Sequence, residues 1–197
     1  MADVLLYHHI QGLTDGVRAF ADELRAAGHT VHAPDLFEGR TFASIEEGFG
    51  YARDRGFEAI GESGAAVAAE LGPDLVYAGF SFGVTIAQRL AQTRPGARGA
   101  LLMYSCLPVS EFGQAWPDGL PVQVHGKEGD EFFDEDLPAA RALVESADAA
   151  ELFLYPGDQH LFADSSLDAF DPQASSLLME RVLRFLAAGP GSATDRG

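Results

Sequence analysis

The sequence predicts an open α/β fold, in which a mostly parallel sheet carries helices on both faces. Short apolar runs alternate with longer amphipathic segments along the chain. The runs are nearly continuous in hydrophobicity, as expected for strands buried on both faces. Regular alternation of strand and helix requires crossover connections, and these make neighbouring strands parallel. The length of 197 residues and the 47% share of hydrophobic residues fit one globular domain with a sizeable core.

Six apolar runs are predicted as strands, at residues 4–8, 30–33, 75–80, 99–104, 122–125 and 152–155. Helices are predicted at residues 14–27, 44–54, 57–71, 82–92, 138–147 and 175–187. Thr14 is a suitable N-cap for the first helix, and Gly28 ends it. Beyond the last helix the composition becomes Gly-rich, so we expect a single domain over residues 1–188 and a flexible C-terminal tail over residues 189–197.

The balance of charges excludes several kinds of partner. With 13 Lys and Arg against 30 Asp and Glu, the formal net charge is −17, which repels nucleic-acid phosphates and anionic membrane surfaces. No apolar run approaches the roughly 18 residues that span a bilayer, and no cationic region precedes the first apolar stretch. We therefore expect a cytoplasmic protein without a signal peptide. The sequence leaves open whether the protein forms a homodimer. The single cysteine, Cys106, excludes an intrachain disulfide.

Residues 79–83 match the G-x-S-x-G pattern of a nucleophile elbow. A predicted strand precedes the motif and a predicted helix follows it, which is the context that the pattern requires. The turn projects the hydroxyl of Ser81 beyond the end of the sheet, while Gly79 and Gly83 avoid the clashes that a Cβ atom would cause. The N-terminus of the following helix also directs free N–H groups toward a developing oxyanion. Ser81 is therefore the candidate nucleophile.

A serine hydroxyl is a weak nucleophile and needs a base within hydrogen-bonding reach. Of the six histidines, His160 lies in a loop directly after the last predicted strand, at the edge of the sheet where Ser81 is expected. The acid that orients such a base is expected after the preceding strand, where Asp130 is the best candidate. Glu128 and Asp158 are rivals to Asp130, because carboxylates are abundant in this chain.

The chain resembles the dienelactone hydrolase family of α/β-hydrolases over about residues 3–187. The resemblance implies an α/β-hydrolase-like fold and a nucleophile–His–Asp triad that uses neither metal nor cofactor. On this match Ser81, Asp130 and His160 are the catalytic residues, and the backbone N–H groups of Ile10 and Phe82 form the oxyanion hole. The matching segments are residues 4–12, 28–36, 79–83, 126–130 and 155–162.

Three positions depart from the pattern of the family. Its members usually carry cysteine at the elbow, where this chain has Ser81, and a glutamate where it has His9. Because serine is far less acidic than a thiol, Ser81 depends more on His160. No arginine lies just after His160, where an acidic and serine-containing stretch, residues 164–166, is found instead. The family's anionic lactones, which arginine holds, are therefore a poor match, and a neutral ester or lactone fits better.

The sequence therefore predicts a small serine hydrolase that acts on a small-molecule carboxylic ester or lactone through an acyl-enzyme. A thioesterase or acyl transferase with the same three residues is one alternative, and a catalytically silent binding protein of the hydrolase fold is another. Adjacent histidines such as His8 and His9 point to opposite faces of a strand, so no metal site is expected. Four side chains are expected to line the substrate pocket: His9, Phe37, Trp116 and Phe162.

Overall fold

A computed structural model describes residues 1–188 and contains a six-stranded sheet in which every strand is parallel to its neighbours. The predicted tail, residues 189–197, lies outside the described residues. The strands are β1 (Asp3–Tyr7), β2 (Thr30–His32), β3 (Leu75–Phe80), β4 (Gly99–Met103), β5 (Val122–Lys127) and β6 (Ala150–Tyr155). The order across the sheet is β2-β1-β3-β4-β5-β6, and the predicted fold class is confirmed.

Six α-helices flank this sheet within the part of the chain that the structure describes. They are α1 (Asp15–Ala26), α2 (Ile45–Arg55), α3 (Phe57–Glu70), α4 (Phe82–Thr93), α5 (Glu131–Ser146) and α6 (Pro172–Ala188). Among residues 1–188, none of these helices combines the length and the apolar character needed to cross a membrane.

Side chains alternate across the sheet and form two separate cores. In β1, Val4 and Leu6 join a core that contains apolar residues of α1 and α6. Leu5 and Tyr7 join a second core with apolar residues of α3, α4 and α5. This is the two-residue period of a strand. Because both faces of the sheet contact helices, its strands carry continuous apolar runs.

Two helices begin earlier than predicted. α5 begins directly after Asp130, which caps the helix by accepting a hydrogen bond from the Phe132 N–H at 3.1 Å. Pro138 therefore lies inside this helix instead of opening it. α6 begins at Pro172 rather than at residue 175, because proline suits the first position of a helix, where no intrahelical N–H bond is lost.

The parallel arrangement places the carboxyl ends of all six strands at one edge of the sheet. The segments that follow β1, β3, β5 and β6 contain Ile10, Ser81, Asp130 and His160 respectively. Ser81 and His160 are 79 residues apart in the chain, yet their side chains meet at this edge. In open α/β sheets ligands bind beyond this edge, so the candidate site is built there.

Candidate active site

Ser81 occupies a strained turn between β3 and α4. Its backbone angles are φ 49° and ψ −111°, and a positive φ is uncommon for a residue with a side chain. The Ser81 N–H donates to the Met103 carbonyl at 2.7 Å, and the Ser81 carbonyl accepts from the Val84 N–H at 2.8 Å. Strain of this kind costs about 1–3 kcal/mol and is concentrated at functional sites. The surrounding structure therefore holds Ser81 in a conformation that an unconstrained chain would avoid.

The two glycines of the motif allow the backbone to approach closely on both sides of Ser81. A Cβ atom on Gly79 would lie 2.5 Å from the Gly83 carbonyl, inside any real contact distance. A Cβ atom on Gly83 would lie 2.4 Å from the Tyr7 carbonyl oxygen at the end of β1. The start of α4 therefore fits directly against the end of β1, which brings Phe82 to the turn that contains Ile10.

His160 lies between Ser81 and Asp130 in a row of hydrogen bonds. Its Nε2 atom lies 2.9 Å from Ser81 Oγ, and its Nδ1 atom lies 2.6 Å from Asp130 Oδ2. A carboxylate can only accept, so Nδ1 carries the ring proton and donates it to Asp130. The unprotonated Nε2 then accepts the hydrogen bond of the Ser81 hydroxyl. This tautomer is the one in which an imidazole can take a proton from a nucleophile.

The structure brings Asp130, and neither of its rivals, to His160. Glu128 and Asp158 are exposed, and within residues 1–188 neither side chain bonds to the His160 ring. The Asp130 side chain is 1% exposed and uses its two oxygens separately, Oδ1 to cap α5 and Oδ2 to orient His160. The start of α5 therefore holds the carboxylate in place beside the imidazole.

A buried lysine, which the sequence analysis did not single out, holds the loop that carries His160. The Nζ atom of Lys127, at the end of β5, donates to Gln159 Oε1 at 2.6 Å and to Asp171 Oδ2 at 2.7 Å. The Lys127 side chain is fully buried, so these bonds offset the cost of removing its charge from water. The hydrogen bond from Lys127 lowers the pKa of Asp171. This contact fixes Gln159, the residue just before His160, against the sheet.

His9 belongs to a second buried His–Asp pair, behind the turn that follows β1. Its Nε2 atom lies 2.7 Å from Asp164 Oδ2, and its Nδ1 atom accepts the Gln11 N–H at 3.1 Å. Since Nδ1 accepts, Nε2 carries the ring proton and donates it to Asp164. Both ring nitrogens of His9 are therefore engaged with partners other than Ser81. It ties the turn containing Ile10 to the loop after His160.

Asp164 is also surrounded by other donors. It accepts from the hydroxyls of Thr14 and Ser166 as well as from His9. Burial alone would raise the pKa of Asp164, but the hydrogen bonds from His9, Ser166 and Thr14 outweigh it and lower the pKa to about 2. The carboxylate is therefore charged in the folded protein throughout the physiological range.

This depressed pKa predicts a pH-dependent difference in stability between the wild type and Asp164→Asn. The pKa of Asp164 in the folded protein lies below its unfolded value of 3.8. The charged carboxylate therefore stabilises the folded state fully at pH values above 3.8, and this stabilisation is lost as the pH falls toward 2. In total it is about 2 kcal/mol, and about half is lost by pH 3. We expect urea unfolding to show the gap between the two proteins narrowing by about 1 kcal/mol from pH 6 to pH 3. The exposed Asp158→Asn is the control, and a gap that stays constant would contradict the assignment.

Two backbone N–H groups at this edge have no partner within residues 1–188. Neither the Ile10 N–H nor the Phe82 N–H donates to another backbone group there. Phe82 is the first residue of α4, where N–H groups point out of the helix and carry its positive dipole end. Gly48 of α2 has no Cβ, and a Cβ there would lie 2.0 Å from the Ile10 carbonyl, so α2 holds the Ile10 turn from the other side.

The four side chains expected to line a substrate pocket are buried instead, which corrects that expectation. None of them is more than 6% exposed, so none presents a surface to a bound molecule in this structure. Each is engaged in packing or in an internal hydrogen bond, because the loops that carry them fold back onto the sheet. The corrected residues are His9, Phe37, Trp116 and Phe162.

Exposed aromatic residues do lie near the row of Ser81, His160 and Asp130, but they are on helices. Phe132, in the first turn of α5, is 55% exposed, and its ring centroid lies 4.9 Å from that of His160. Phe57 packs at 6.0 Å from Phe82 and at 5.1 Å from Phe49. The prediction missed Phe132 because this helix was expected to begin only at residue 138, whereas it begins at Glu131. The signal that could have revealed Phe132 is Asp130 itself: an aspartate that caps a helix would place Phe132 in the first turn of that helix, on its polar side.

Other chemical groups are less suited to reaction. Burial raises the pKa of the Cys106 thiol to about 12, so it stays protonated and is a poor nucleophile. Burial lowers the pKa of His8 to about 4, and its Nε2 atom accepts the Leu36 N–H at 3.1 Å. His8 and His9 therefore serve separate structural contacts. Among residues 1–188, no group of three or more His, Cys, Asp or Glu side chains is arranged to hold a metal ion.

A parallel sheet with an elbow serine after one strand and a histidine beyond its last strand is the arrangement of the α/β-hydrolases. A model of the dienelactone hydrolase family matches residues 2–189, and the chain belongs to this family. The resemblance seen in the sequence is thereby confirmed, and the protein is a hydrolase of that family. Comparison with curated protein sequences gave no match.

Solved structures share the fold at low sequence identity. A Klebsiella pneumoniae protein described as a dienelactone hydrolase is 19% identical with a TM-score of 0.73, over 95% of this chain and 87% of that one. A promiscuous phosphotriesterase resembling dienelactone hydrolases, from metagenomic libraries, is 19% identical with a TM-score of 0.72, over 95% and 86% of the two chains. Esterase 2 of Thermogutta terrifontis is 17% identical with a TM-score of 0.65, over 94% and 82%.

Proposed function

We propose that the protein hydrolyses a carboxylic ester or lactone through an acyl-enzyme on Ser81, with His160 as the base and Asp130 as its orienting acid. The observation that supports this most is the continuous row from Ser81 Oγ to His160 Nε2 at 2.9 Å and from His160 Nδ1 to Asp130 Oδ2 at 2.6 Å. A hydroxyl, an imidazole in the accepting tautomer and a buried carboxylate are the parts that nucleophilic acyl transfer needs.

Acylation begins when Ser81 Oγ attacks the ester carbonyl carbon and its proton passes to His160 Nε2. The carbonyl oxygen becomes an oxyanion, which the N–H groups of Ile10 and Phe82 stabilise. One such donor contributes about 3 kcal/mol of transition-state stabilisation. The charged imidazolium is stabilised by Asp130, which keeps its negative charge throughout. Collapse of the tetrahedral intermediate breaks the bond to the leaving oxygen, which takes the proton from His160.

Deacylation repeats the sequence with water. His160 Nε2 removes a proton from a water molecule, whose oxygen attacks the acyl carbon. The second tetrahedral intermediate collapses, Ser81 Oγ leaves and recovers its proton from His160, and the carboxylic acid is released. The net reaction is addition of water across the ester bond. It uses only groups of this chain and one water molecule.

The charges of the chain favour a neutral substrate. The loop beyond His160 carries Asp164 and two serines, with no arginine to pair with a substrate carboxylate. The net charge of −17 also repels anionic molecules at a distance. We therefore expect neutral esters or lactones to be better substrates than anionic ones.

The test of this function is a substrate comparison with the purified protein. We expect steady hydrolysis of a 4-nitrophenyl ester and of a neutral lactone above the uncatalysed rate, measured by absorbance and by pH-stat. Ser81→Ala prepared in parallel measures any contaminating esterase. Turnover of thioesters alone would favour a thioesterase, and no turnover of any acyl compound would favour a silent binding protein. Either result would overturn the proposal.

A further inference from the structure

An open groove with apolar sides lies beside His160, between α2 and the first turn of α5. Phe132 forms the side next to His160, and Ile45 and Phe49, four positions apart on one face of α2, form the opposite side. The volume of the groove is about 880 Å³, which lies within the range of small-molecule sites. The groove is thus large enough for part of a substrate.

The aromatic side chains of this groove are unusually exposed. Phe49 is 52% exposed and Phe132 is 55% exposed, so most of the apolar surface of both rings faces the groove or solvent rather than the core. Exposed apolar surface next to a reactive group commonly marks a binding site. Since the Phe132 ring lies 4.9 Å from the His160 ring, centroid to centroid, the groove is adjacent to the row of Ser81, His160 and Asp130.

The position of the groove selects one part of the ester. In acylation, the bond between the carbonyl carbon and the leaving oxygen breaks, and His160 Nε2 donates its proton to that oxygen. The leaving oxygen must therefore lie next to His160, whereas the carbonyl oxygen must point toward the N–H groups of Ile10 and Phe82. The group attached to the leaving oxygen then extends on the His160 side, where Phe132 and the groove lie.

The rim of the groove carries more negative than positive charge. Glu46 and Glu47 lie on it together with Arg53, whose guanidinium is already 3.6 Å from Asp54. A carboxylate on the bound group would meet two glutamates and an arginine that is paired. The charge of the rim therefore favours a neutral or positively charged group over an anionic one.

We propose that this groove binds the alcohol part of a neutral ester, and that an apolar alkyl chain or aryl group on that part is the preferred substrate feature. The inference rests on the proposed ester hydrolysis. It adds that the protein selects its substrates on the alcohol side of the scissile bond. Each methylene that becomes buried between Phe132 and Phe49 is expected to raise kcat/KM about fourfold.

Two ester series separate the alcohol from the acyl part. Ethyl, butyl and hexyl acetate lengthen only the alcohol, at nearly constant leaving-group reactivity, while ethyl acetate, butanoate and hexanoate lengthen only the acid. In the wild type we expect kcat/KM to rise along the first series. In Phe49→Ala we expect the increase in kcat/KM from ethyl to hexyl acetate to be about tenfold smaller. The difference between the two proteins should be smallest for ethyl acetate, whose alcohol part is the shortest. Leu177→Ala, which removes another exposed apolar side chain but on α6, should leave both series unchanged.

Binding of the product alcohol gives a readout that does not need turnover. We expect saturation-transfer NMR to detect hexan-1-ol on the wild type and on Ser81→Ala, and to lose most of that signal in Phe49→Ala. If no ester is hydrolysed but this loss is seen, the proposed function fails and the groove assignment stands. If esters are hydrolysed but Phe49→Ala changes the acyl series, or changes neither series, the groove assignment is overturned while the function stands.

A second copy of the chain is the alternative occupant of the groove, and sedimentation can detect it. Sedimentation of the wild type and Phe49→Ala reports whether the exposed phenylalanines hold a dimer together. A wild-type dimer that Phe49→Ala converts to monomer, with the alcohol series unchanged, would assign the groove to self-association and overturn the proposal.

Discussion

Ser81→Ala is expected to lower kcat for a 4-nitrophenyl ester by about 10⁴- to 10⁶-fold. Without Oγ there is no atom to form the acyl-enzyme, and His160 Nε2 loses the hydroxyl that lies 2.9 Å away. Residual hydrolysis would come from water and from the N–H groups of Ile10 and Phe82. Steady-state kinetics at several substrate concentrations separates kcat from KM, and we expect KM to change little because the binding surfaces are intact.

The stability of this variant is expected to stay within about 1 kcal/mol of the wild type, because alanine keeps the same strained backbone. Ser81→Gly should be more stable than both by about 1 kcal/mol, since glycine adopts the φ of 49° without strain. Ser63→Ala is the matched control, because the exposed Ser63 hydroxyl on α3 donates a local hydrogen bond to the Ala59 carbonyl. Ser81→Ala that keeps more than a tenth of wild-type turnover would exclude Ser81 as the nucleophile.

Asp130→Asn is expected to lower kcat by about 10⁴-fold at pH 7 and to leave the fold intact. The asparagine side-chain oxygen can still cap α5 by accepting the Phe132 N–H. Its amide group, however, donates toward His160 Nδ1, which moves the ring proton to Nε2. In that tautomer His160 cannot accept the Ser81 proton, so the nucleophile is not activated.

Two matched variants test whether the effect belongs to Asp130 alone. Glu128→Gln and Asp158→Asn each remove one charge from the same end of the sheet, on exposed side chains. Both are expected to keep kcat within about twofold of the wild type, because surface charges are screened by solvent. A large loss of kcat in Asp158→Asn together with a small one in Asp130→Asn would reassign the orienting acid.

Much of this site could be predicted because it depends on local sequence and on strand order. The elbow at Ser81 needs glycines at fixed positions between a strand and a helix, and the sequence contains them. Parallel strands then place Ser81, Asp130 and His160 at one edge, whatever the details of packing. The meeting of these residues follows from topology rather than from the conformation of any loop.

The features that were missed depend on contacts between distant segments. The direction of His9 is set by Asp164, which is 155 residues away in the chain. Lys127 is an ordinary charged residue in the sequence, and its burial follows only from its bonds to Gln159 and Asp171. The groove is formed where the starts of α2 and α5 meet, and the start of α5 was hidden because Pro138 resembled a first helical residue.

The aromatic residues show the same limit. Loop phenylalanines and a tryptophan were expected to line the pocket because they lie near the carboxyl edge, but the loops bury them. Whether a side chain is exposed depends on which side of its helix or strand faces the core. For Phe132 and Phe49 that depends on helix boundaries and on how α5 and α2 rotate against the sheet.

Covalent labelling with a fluorophosphonate tests the central claim most directly, because such a probe reacts with a serine that a neighbouring base activates. An esterase of this fold, esterase 2 of Thermogutta terrifontis, is phosphonylated by cyclosarin. Intact-mass measurement followed by peptide mapping is expected to find one adduct per chain, on Ser81, formed far more slowly in Asp130→Asn. A folded protein that acquires no adduct, or acquires it at another residue, would contradict the assignment of Ser81 as an activated nucleophile.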